Sequence, residues 1–222
     1  MSVSVVVCTK NEERYIKKCL ECLKNQTVKP EIIVVDGHSK DKTIKIAKKY
    51  ADRIIKDNKK GIADARNLGC KSAKGDIVAY CDADSRPPEN WVENIEKLID
   101  NNIGVYGPII PYDANTKTKI GLKVWGDLFL EATSAFKYPC ICGSNCAFKR
   151  SKLLKHPFKV NFLEDFELST RIRKYGRVRF FRELYMPISA RRFEDSFHRK
   201  AFKFYLLNFI RLRLGKKQNT YW

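Results

Sequence analysis

The sequence predicts an α/β fold, a single three-layered sandwich with a mostly parallel central sheet. Apolar runs rich in β-branched residues alternate with segments of helical spacing through the first hundred residues. This is the βαβ order that builds parallel sheets with right-handed crossovers. The runs are continuous rather than alternating, as expected for strands covered on both faces. With no repeat, low-complexity segment or linker in 222 residues, the expected architecture is one Rossmann-like α/β/α domain.

The elements of the first half follow from these patterns. In "ERYIKKCLECL" the apolar residues Ile16, Cys19, Leu20 and Leu23 share one helical face, and Asp41 supplies an acidic start to the next helix. Predicted strands cover 2–9, 31–37, 53–56 and 76–82, and predicted helices cover 12–25, 41–50, 61–73 and 89–101.

The regular alternation of strand and helix patterns ends after residue 103. "IGVYGPIIP" (103–111) predicts one strand, and "CAFKR" a short one. Predicted helices cover 116–136 and 164–175, a strand covers 177–181, and 196–214 predicts a basic amphipathic helix.

The chain is strongly basic, with 44 Lys and Arg against 25 Asp and Glu and a net charge of +19. This excess predicts an anionic partner, which includes nucleic acid, a membrane surface and phosphorylated ligands. No apolar run approaches the roughly 18–20 residues that cross a bilayer, and the N-terminus has a strand pattern rather than that of a signal peptide. We therefore expect a cytoplasmic protein. Cys140, Cys142 and Cys146 lie close together but lack an evident fourth metal ligand nearby.

Polar residues follow three of the predicted strands. Ligands of open parallel sheets bind beyond the carboxyl ends of the strands, so these residues are expected to gather at one edge. Neither a GxGxxG nor a GxxxxGK[ST] motif is present, which argues against a dinucleotide fold and a P-loop. The residues are Thr9, Asn11 and Glu12 after the first strand, Asp36 after the second, and Asp82 and Asp84 after the fourth.

The pair Asp82 and Asp84 predicts a site for a hard divalent cation, Mn²⁺ or Mg²⁺. A turn at Ala83 would point both carboxylates the same way, and such ions favour one or two carboxylates plus substrate phosphates. The alternative is that Asp and Ser here only favour a turn before proline.

Five segments in order resemble family 2 glycosyltransferases of the GT-A fold. They are "VVVCTKNEERYIKKCLECLKNQT", "IIVVDGHSKDKT", "GIADARNLGCKSAKGDIVAYCDAD", "GSNCAFKRSKL" and "FLEDFELSTRIRKYG". The resemblance covers about residues 1–180. It implies a hexosyltransferase (class EC 2.4) domain over 1–195, which consists of a nucleotide-binding half (1–102) and an acceptor half (103–195). A basic aromatic tail (196–222) follows the domain.

The resemblance also implies site residues. Nucleotide-sugar contacts would come from Thr9, Asn11, Glu12, Asp36, Arg66 and Asp82, and the metal would be held chiefly by Asp84 together with Asp82. In such enzymes the aspartate at the position of Asp36 contacts the base, which is generally uracil. A UDP-sugar is therefore expected. An alternative role for Asp36 is to cap a turn with Ser39 and Asp41.

On the acceptor side the resemblance implies Gly143 and Asn145, with Asp165 as general base beside Glu164. The base would take the proton of an acceptor hydroxyl during inversion at the anomeric carbon. Gly143 has the alternative role of permitting close backbone approach. Acidic residues also simply favour a helix N-terminus.

The sequence departs from processive members of the family, because it has neither QxxRW nor membrane spans. Arg191 and Arg192 stand where that motif would be and are predicted to contact donor or acceptor phosphates. His198 is a further candidate metal ligand, with a structural or solvated role as the alternative.

Aromatic and basic residues alternate through the tail, which predicts packing on the domain, a dimer contact, or peripheral contact with the inner face of the membrane. The leading hypothesis is an inverting transferase that uses a nucleotide-sugar donor and a hydroxyl on a glycan or lipid-linked acceptor. The alternatives are a polyprenyl (dolichyl) phosphate acceptor, an inactive scaffold, or a nucleic-acid-binding module. The last leaves the two-aspartate strand end unexplained, so we expect no nucleic acid partner.

Overall fold

The computed structural model of the protein describes residues 1–161 and 163–191. Side chains at 117, 118, 121–127 and 129 are outside this description. The predicted helix 196–214 also lies outside the described residues. So do the predicted site residues Arg192 and His198. Within the described part of the chain, no helix is both long and apolar enough to cross a membrane.

A seven-stranded sheet forms the centre of the domain, in the order β3-β2-β1-β4-β7-β5-β8. Only β7 runs antiparallel to its neighbours β4 and β5, so the predicted mostly parallel sheet is confirmed. Its strands are β1 (Val3–Thr9), β2 (Glu31–Asp36), β3 (Arg53–Lys56), β4 (Ile77–Asp82), β5 (Gly104–Tyr106), β7 (Asn145–Lys149) and β8 (Val178–Phe180); β6 (Ile109–Pro111) and β9 (Met186–Ile188) pair separately.

Helices cover both faces of the sheet, which explains why the central strands are apolar without alternation. One hydrophobic cluster joins the sheet to α1 and α4, and the other joins it to α3, α6 and α7. The helices are α1 (Ile16–Lys24), α2 (Thr43–Ala47), α3 (Ile62–Ser72), α4 (Trp91–Leu98), α5 (Thr116–Ala135), α6 (Arg150–Lys155) and α7 (Glu164–Ile172).

Helix α3 lies unusually close to β1. A Cβ atom at Gly69 would lie 2.3 Å from Cγ1 of Val6, so only glycine permits this approach without a shift. The close packing fixes the position of Arg66, which lies on the same helix.

The segment 103–111 corrects the sequence prediction, because it forms two strands in different sheets rather than one. The chain turns away at Gly107, where a Cβ atom would lie 2.1 Å from the carbonyl oxygen of Leu184. Pro108 then accepts a hydrogen bond from the backbone N–H of Met186 at the start of β9. Sequence periodicity did not predict the short elements α6 and β9.

Candidate active site

Three of the predicted residues lie side by side at the carboxyl edge of the sheet. In the parallel register Thr9 is opposite Asp36, and Cys8 is opposite Asp82. Because β7 is antiparallel, its first residue, Asn145, pairs with Cys81 at this same edge. The loop before β7 therefore joins the strand ends, and both halves of the domain contribute to one site.

A tight turn follows β4. The Ser85 N–H donates to the Asp82 carbonyl over 3.0 Å, and the Asp82 N–H donates to Ser85 Oγ over 3.2 Å. The turn includes Ala83, as expected, and leaves the Asp84 side chain only 5% exposed. A carboxylate this buried requires positive charge nearby.

Arg191 supplies that charge. Its Nε lies 2.9 Å from Asp84 Oδ2 and its Nη2 lies 2.7 Å from Glu12 Oε1, so one guanidinium spans both carboxylates. It also lies over the Tyr15 ring, 4.5 Å from the centroid. Burial opposes the charge, but the Glu12 and Asp84 carboxylates raise the pKa of Arg191 overall.

Two polar atoms beside this ion pair have no hydrogen-bond partner among the described residues. They are Thr9 Oγ1 and Glu12 Oε2, and both are buried. Unsatisfied buried groups cost about 1–3 kcal/mol each, so such atoms at the strand ends indicate a ligand or solvent position.

A second ion pair lies on the other side of the edge, where Arg66 Nη1 is 2.7 Å from Glu164 Oε1. The guanidinium carbon of Arg66 lies 5.9 Å from the centroid of Tyr80 and 5.5 Å from that of Phe158. Burial raises the pKa of Glu164 to about 7, with Arg66 acting against this and Asp165 adding to it. Burial alone would lower the pKa of Arg66, but the Glu164, Asp82 and Asp165 carboxylates raise it.

Backbone groups orient the Asp165 carboxylate, which makes no ion pair with the residues that the structure describes. Its Oδ2 accepts from the Gly143 N–H over 2.8 Å and its Oδ1 from the Phe166 N–H over 2.8 Å. A Cβ atom at residue 143 would lie 2.2 Å from Arg66 Nη1, so glycine permits the backbone to approach Arg66 closely, as in the alternative role considered for Gly143. The two adjacent carboxylates thus differ, with Glu164 paired to arginine and Asp165 oriented by N–H donors.

The side chains of two further predicted residues, Asp36 and Asn11, make contacts with the loops around the strand ends. Asp36 accepts from the Ser39 N–H at 3.1 and 3.3 Å, so it has the capping contact that we considered as its alternative role. Asn11 joins the loops after β1 and β2, because its Oδ1 accepts from the Lys40 N–H over 2.8 Å.

Asn145, which was predicted on the acceptor side, has its side chain turned into the core. Its side chain is buried, Nδ2 donates to the carbonyls of Pro108 and Leu184, and Oδ1 accepts from Trp91 Nε1 over 3.0 Å. The amide is therefore used to hold the start of β7 in the core. The Gly-x-Asn pattern indicated the location but not that the asparagine points inward.

Two residues near the site were missed. Tyr15, which lies under Arg191, was predicted only as part of the helix over 12–25. Asn161 accepts from the Ala63 N–H over 3.0 Å and donates to the Lys60 carbonyl over 2.6 Å, so it joins the segment before α7 to the start of α3. An asparagine shortly before the "FLED" segment was the available signal.

The three clustered cysteines are free thiols. Burial raises the pKa of the Cys142 thiol to about 11, and its Sγ lies 3.0 Å from Ser144 Oγ. Metal binding needs a thiolate, which this burial disfavours.

The donor set at Asp84 fits a hard divalent cation. No group of three or more His, Cys, Asp or Glu side chains within 1–161 and 163–191 is arranged as a metal site. Two carboxylates completed by substrate phosphates are sufficient for Mg²⁺ or Mn²⁺. The Arg191 contact shows that Asp84 already holds a positive group in this cleft.

The raised pKa of Glu164 predicts a pH-dependent stability. Its carboxyl titrates ordinarily near 4.5 and in the folded protein near 7, so between these values the folded protein retains a proton that the unfolded chain has lost. The protonated carboxyl contributes on the order of 3 kcal/mol to the free energy of unfolding. This contribution is complete below pH 4.5 and is lost as the pH rises to about 7. We expect the melting temperature of the wild type, relative to that of Glu164→Gln, to fall across this window and to stay level above it.

The control is Glu167→Gln, which removes the ion pair with Arg171 on the same helix. A difference between wild type and Glu164→Gln that is flat with pH would contradict the raised pKa.

Comparison with known proteins identifies relatives of the whole domain. A family model described as "Glycosyl transferase family 2" matches residues 4–156. A Methanococcus voltae dolichyl N-acetyl-glucosaminyl phosphate diacetamido-dideoxy-glucuronosyltransferase is 28% identical over 199 residues, which are 78% of this chain and 62% of that protein. A Haloferax volcanii glucosyl-dolichyl phosphate glucuronosyltransferase is 33% identical over 122 residues, 50% of this chain and 39% of that protein. The chain thus spans less than two thirds of these relatives.

Two solved structures share the fold. A Pyrobaculum calidifontis mannosyltransferase in complex with GDP-Man and Mn²⁺ has a TM-score of 0.75 and 21% identity, covering 98% of this chain and 65% of its own. Staphylococcus aureus TarS in complex with UDP-GlcNAc has a TM-score of 0.67 and 19% identity, covering 84% and 57%. These likenesses confirm the predicted GT-A fold.

Proposed function

Because the chain belongs to glycosyl transferase family 2, we propose that it is an inverting glycosyltransferase that moves a sugar from a nucleoside diphosphate to an acceptor hydroxyl. The single observation that carries the proposal is the convergence at one sheet edge. Carboxylates suited to a cation and a separately oriented carboxylate, Asp165, both lie there.

The donor side is supported by groups that lack partners. Thr9 Oγ1 and Glu12 Oε2 are buried and unsatisfied among the described residues, in the cleft beyond β1. A nucleotide there would satisfy them and would lie near Arg66 and Asp36. Mn²⁺ or Mg²⁺, held by Asp84 with Asp82, would supply positive charge for the departing diphosphate.

The acceptor side depends on the difference between the two carboxylates of α7. Asp165 has both oxygens oriented by N–H donors, and each oxygen keeps a lone pair for an incoming hydroxyl. Asp165 would accept the hydroxyl proton as the oxygen attacks the anomeric carbon. Glu164 would hold Arg66 beside the donor instead.

The names of two relatives support an acceptor class. Two of them act on dolichyl-phosphate-linked sugars by name, which supports a lipid-linked or glycan hydroxyl. The second candidate is a polyprenyl phosphate acceptor, which is already an anion and needs cations more than a base. The orientation of Asp165 by two backbone N–H donors favours the hydroxyl. Peripheral membrane contact through the tail, which lies outside the described residues, is part of the proposal.

The test is a calorimetric titration of the whole chain with UDP and with GDP, each with and without Mn²⁺. We expect one nucleotide to bind at least about tenfold more tightly with Mn²⁺, because the phosphates complete the metal site. A matched control is AMP, which carries one phosphate and no uracil or guanine base. Failure of both UDP and GDP to bind with Mn²⁺ present would overturn the proposal and favour a nucleic-acid partner for this basic chain.

A further inference from the structure

A strap formed by residues 158–161 lies along helix α3 and leads toward α7. The candidate base, Asp165, follows Asn161 by four residues. Helix α3 carries Arg66, which the proposed function places beside the donor. The strap therefore connects the helix of the donor side to the residue that would activate the acceptor.

The Asn67 side chain holds the start of the strap. Its Nδ2 donates to the Phe158 carbonyl over 2.8 Å, and its Oδ1 accepts from the Phe158 N–H over 3.0 Å. One side-chain amide thus satisfies both backbone groups of a buried residue, as a neighbouring strand would. Because Asn67 directly follows Arg66 in the sequence, this contact holds the strap beside the donor arginine.

The Asn161 side chain holds the other end of the strap against the start of α3. It accepts from the Ala63 N–H and donates to the Lys60 carbonyl, on either side of Gly61. Gly61 precedes α3 and has no side chain to cap the helix, so Asn161 supplies the cap from a distant part of the chain. Gly61 has a φ of +97°, and a Cβ atom there would lie 2.5 Å from Asn161 Cγ, so this junction requires glycine.

The ion pair between Arg66 and Glu164 does not set this geometry by itself. Nη1 of Arg66 is buried and lies 2.7 Å from Glu164 Oε1, yet it makes no hydrogen bond within the part of the chain that the structure describes. Coulomb energy changes slowly with distance, whereas a hydrogen bond weakens steeply as it bends. The ion pair therefore attracts the start of α7, and the directional contacts of the strap determine its position.

The backbone just before the base is in an unfavourable conformation. Leu163, the residue before α7, has a φ of +51° and a ψ of +38°, a left-handed region that a bulky residue such as leucine rarely adopts. Such a conformation persists only where the surrounding structure enforces it. On one side Leu163 is held by the first hydrogen bond of α7, and on the other side the two asparagines hold the strap.

We propose that Asn67 and Asn161 are positioning residues, which hold the strap so that Asp165 is fixed relative to Arg66. The inference rests on the proposed function. Helix α3 is anchored to the sheet by its close contact at Gly69, so a loosened strap would displace the base and leave the donor side in place. A displacement of about 1 Å is sufficient to reduce turnover about 100-fold.

The test uses Asn67→Ala and Asn161→Ala in the whole chain. The matched control is Asn102→Ala, which removes a side-chain hydrogen bond to the Leu98 carbonyl. Asn102 precedes the amino end of β5, away from the carboxyl edge of the sheet where the site lies. The control therefore measures the loss of an asparagine contact that has no connection to the base.

Three measurements are made on each variant. Hydrogen exchange of the Gly143 and Phe166 amides reports on the base directly, because both donate to the Asp165 carboxylate. Hydrolysis of UDP-GlcNAc and of GDP-Man by water measures turnover. Titration with UDP and with GDP in the presence of Mn²⁺ measures the donor site.

We expect the Gly143 and Phe166 amides to exchange about tenfold faster in both strap variants, and the donor to be hydrolysed about 10–100-fold more slowly. Nucleotide affinity with Mn²⁺ should stay within about twofold of the wild type, since only the base is displaced. Asn161→Asp keeps an oxygen that accepts from the Ala63 N–H, so it should restore most of the slow exchange. The control should match the wild type in all three measurements.

Faster exchange confined to residues 58–63 and 156–161 would overturn the inference, because the asparagines would then hold only their own segments. A parallel loss of nucleotide affinity would also overturn it, since the effect would lie on the donor helix. So would uniformly faster exchange that includes β1, which would show general destabilisation. A failed donor site is recognised separately, because neither UDP nor GDP would then bind to the wild type, and the exchange measurement decides on the strap in either case.

Discussion

Asp165→Asn is expected to lower kcat for sugar transfer by about 10²–10⁴-fold, the usual contribution of a general base. The amide keeps an oxygen that can accept from the Gly143 N–H or the Phe166 N–H, so the loop and the start of α7 should keep their positions. It cannot take a proton from the acceptor. Nucleotide affinity with Mn²⁺ should change little, because the proposal places Asp165 at the acceptor rather than at the donor.

The change in kcat is measured as turnover of the donor sugar, with acceptor or with water alone. A nucleotide titration of the same variant measures the affinity for the donor. Glu167→Gln on the same helix is the control for removal of a carboxylate. Full activity in Asp165→Asn would contradict its role as base. Combined with inactivity of Glu164→Gln, it would transfer the role to Glu164, whose pKa near 7 suits a base. Full activity in both variants would favour an acceptor that is already ionised, such as a polyprenyl phosphate.

The strand ends could be predicted from the sequence because a parallel sheet leaves little choice. Once β1, β2 and β4 are recognised as buried strands, Thr9, Asp36 and Asp82 must come to one edge. The same logic does not extend to β7. Its antiparallel direction, which brings Gly143 to that edge, follows from tertiary pairing and leaves no trace in local periodicity.

The direction in which a side chain points was the other property that the sequence patterns did not predict. Asn145 and Gly143 are two residues apart, yet one faces the core and the other contacts Asp165. Residue types alone do not separate these roles, since asparagine suits a buried network and a ligand contact equally. Arg191 was predicted to contact phosphates, but its bond to Asp84 joins residues 107 apart, a distance over which sequence patterns carry no geometry.

That ion pair makes Asp84 the residue where a second large effect is expected. Asp84→Asn should reduce Mn²⁺-dependent nucleotide binding by about 100-fold, because removing a carboxylate ligand leaves the cation with fewer charged oxygens. The asparagine should also weaken the hold on Arg191, which among the described residues keeps Glu12 as its anionic partner. Calorimetry with UDP or GDP, with and without Mn²⁺, measures the loss. The matched control is Asp76→Asn, which lies just before β4, at the opposite end of that strand from Asp84.

The comparison with Arg191→Gln identifies the cause. In the wild type the guanidinium occupies Asp84 Oδ2, 2.9 Å from Arg191 Nε. A divalent cation held by the same carboxylate would compete with it, so each would weaken the binding of the other. Without nucleotide, Arg191→Gln should therefore bind Mn²⁺ several-fold more tightly than the wild type, as read from the electron paramagnetic resonance signal of free Mn²⁺. With nucleotide the advantage should shrink or reverse, because the arginine released from Asp84 is then available to the diphosphate. Unchanged Mn²⁺ affinity in Arg191→Gln would mean that the cation binds elsewhere, and the assignment of Asp84 as its ligand would fall with it.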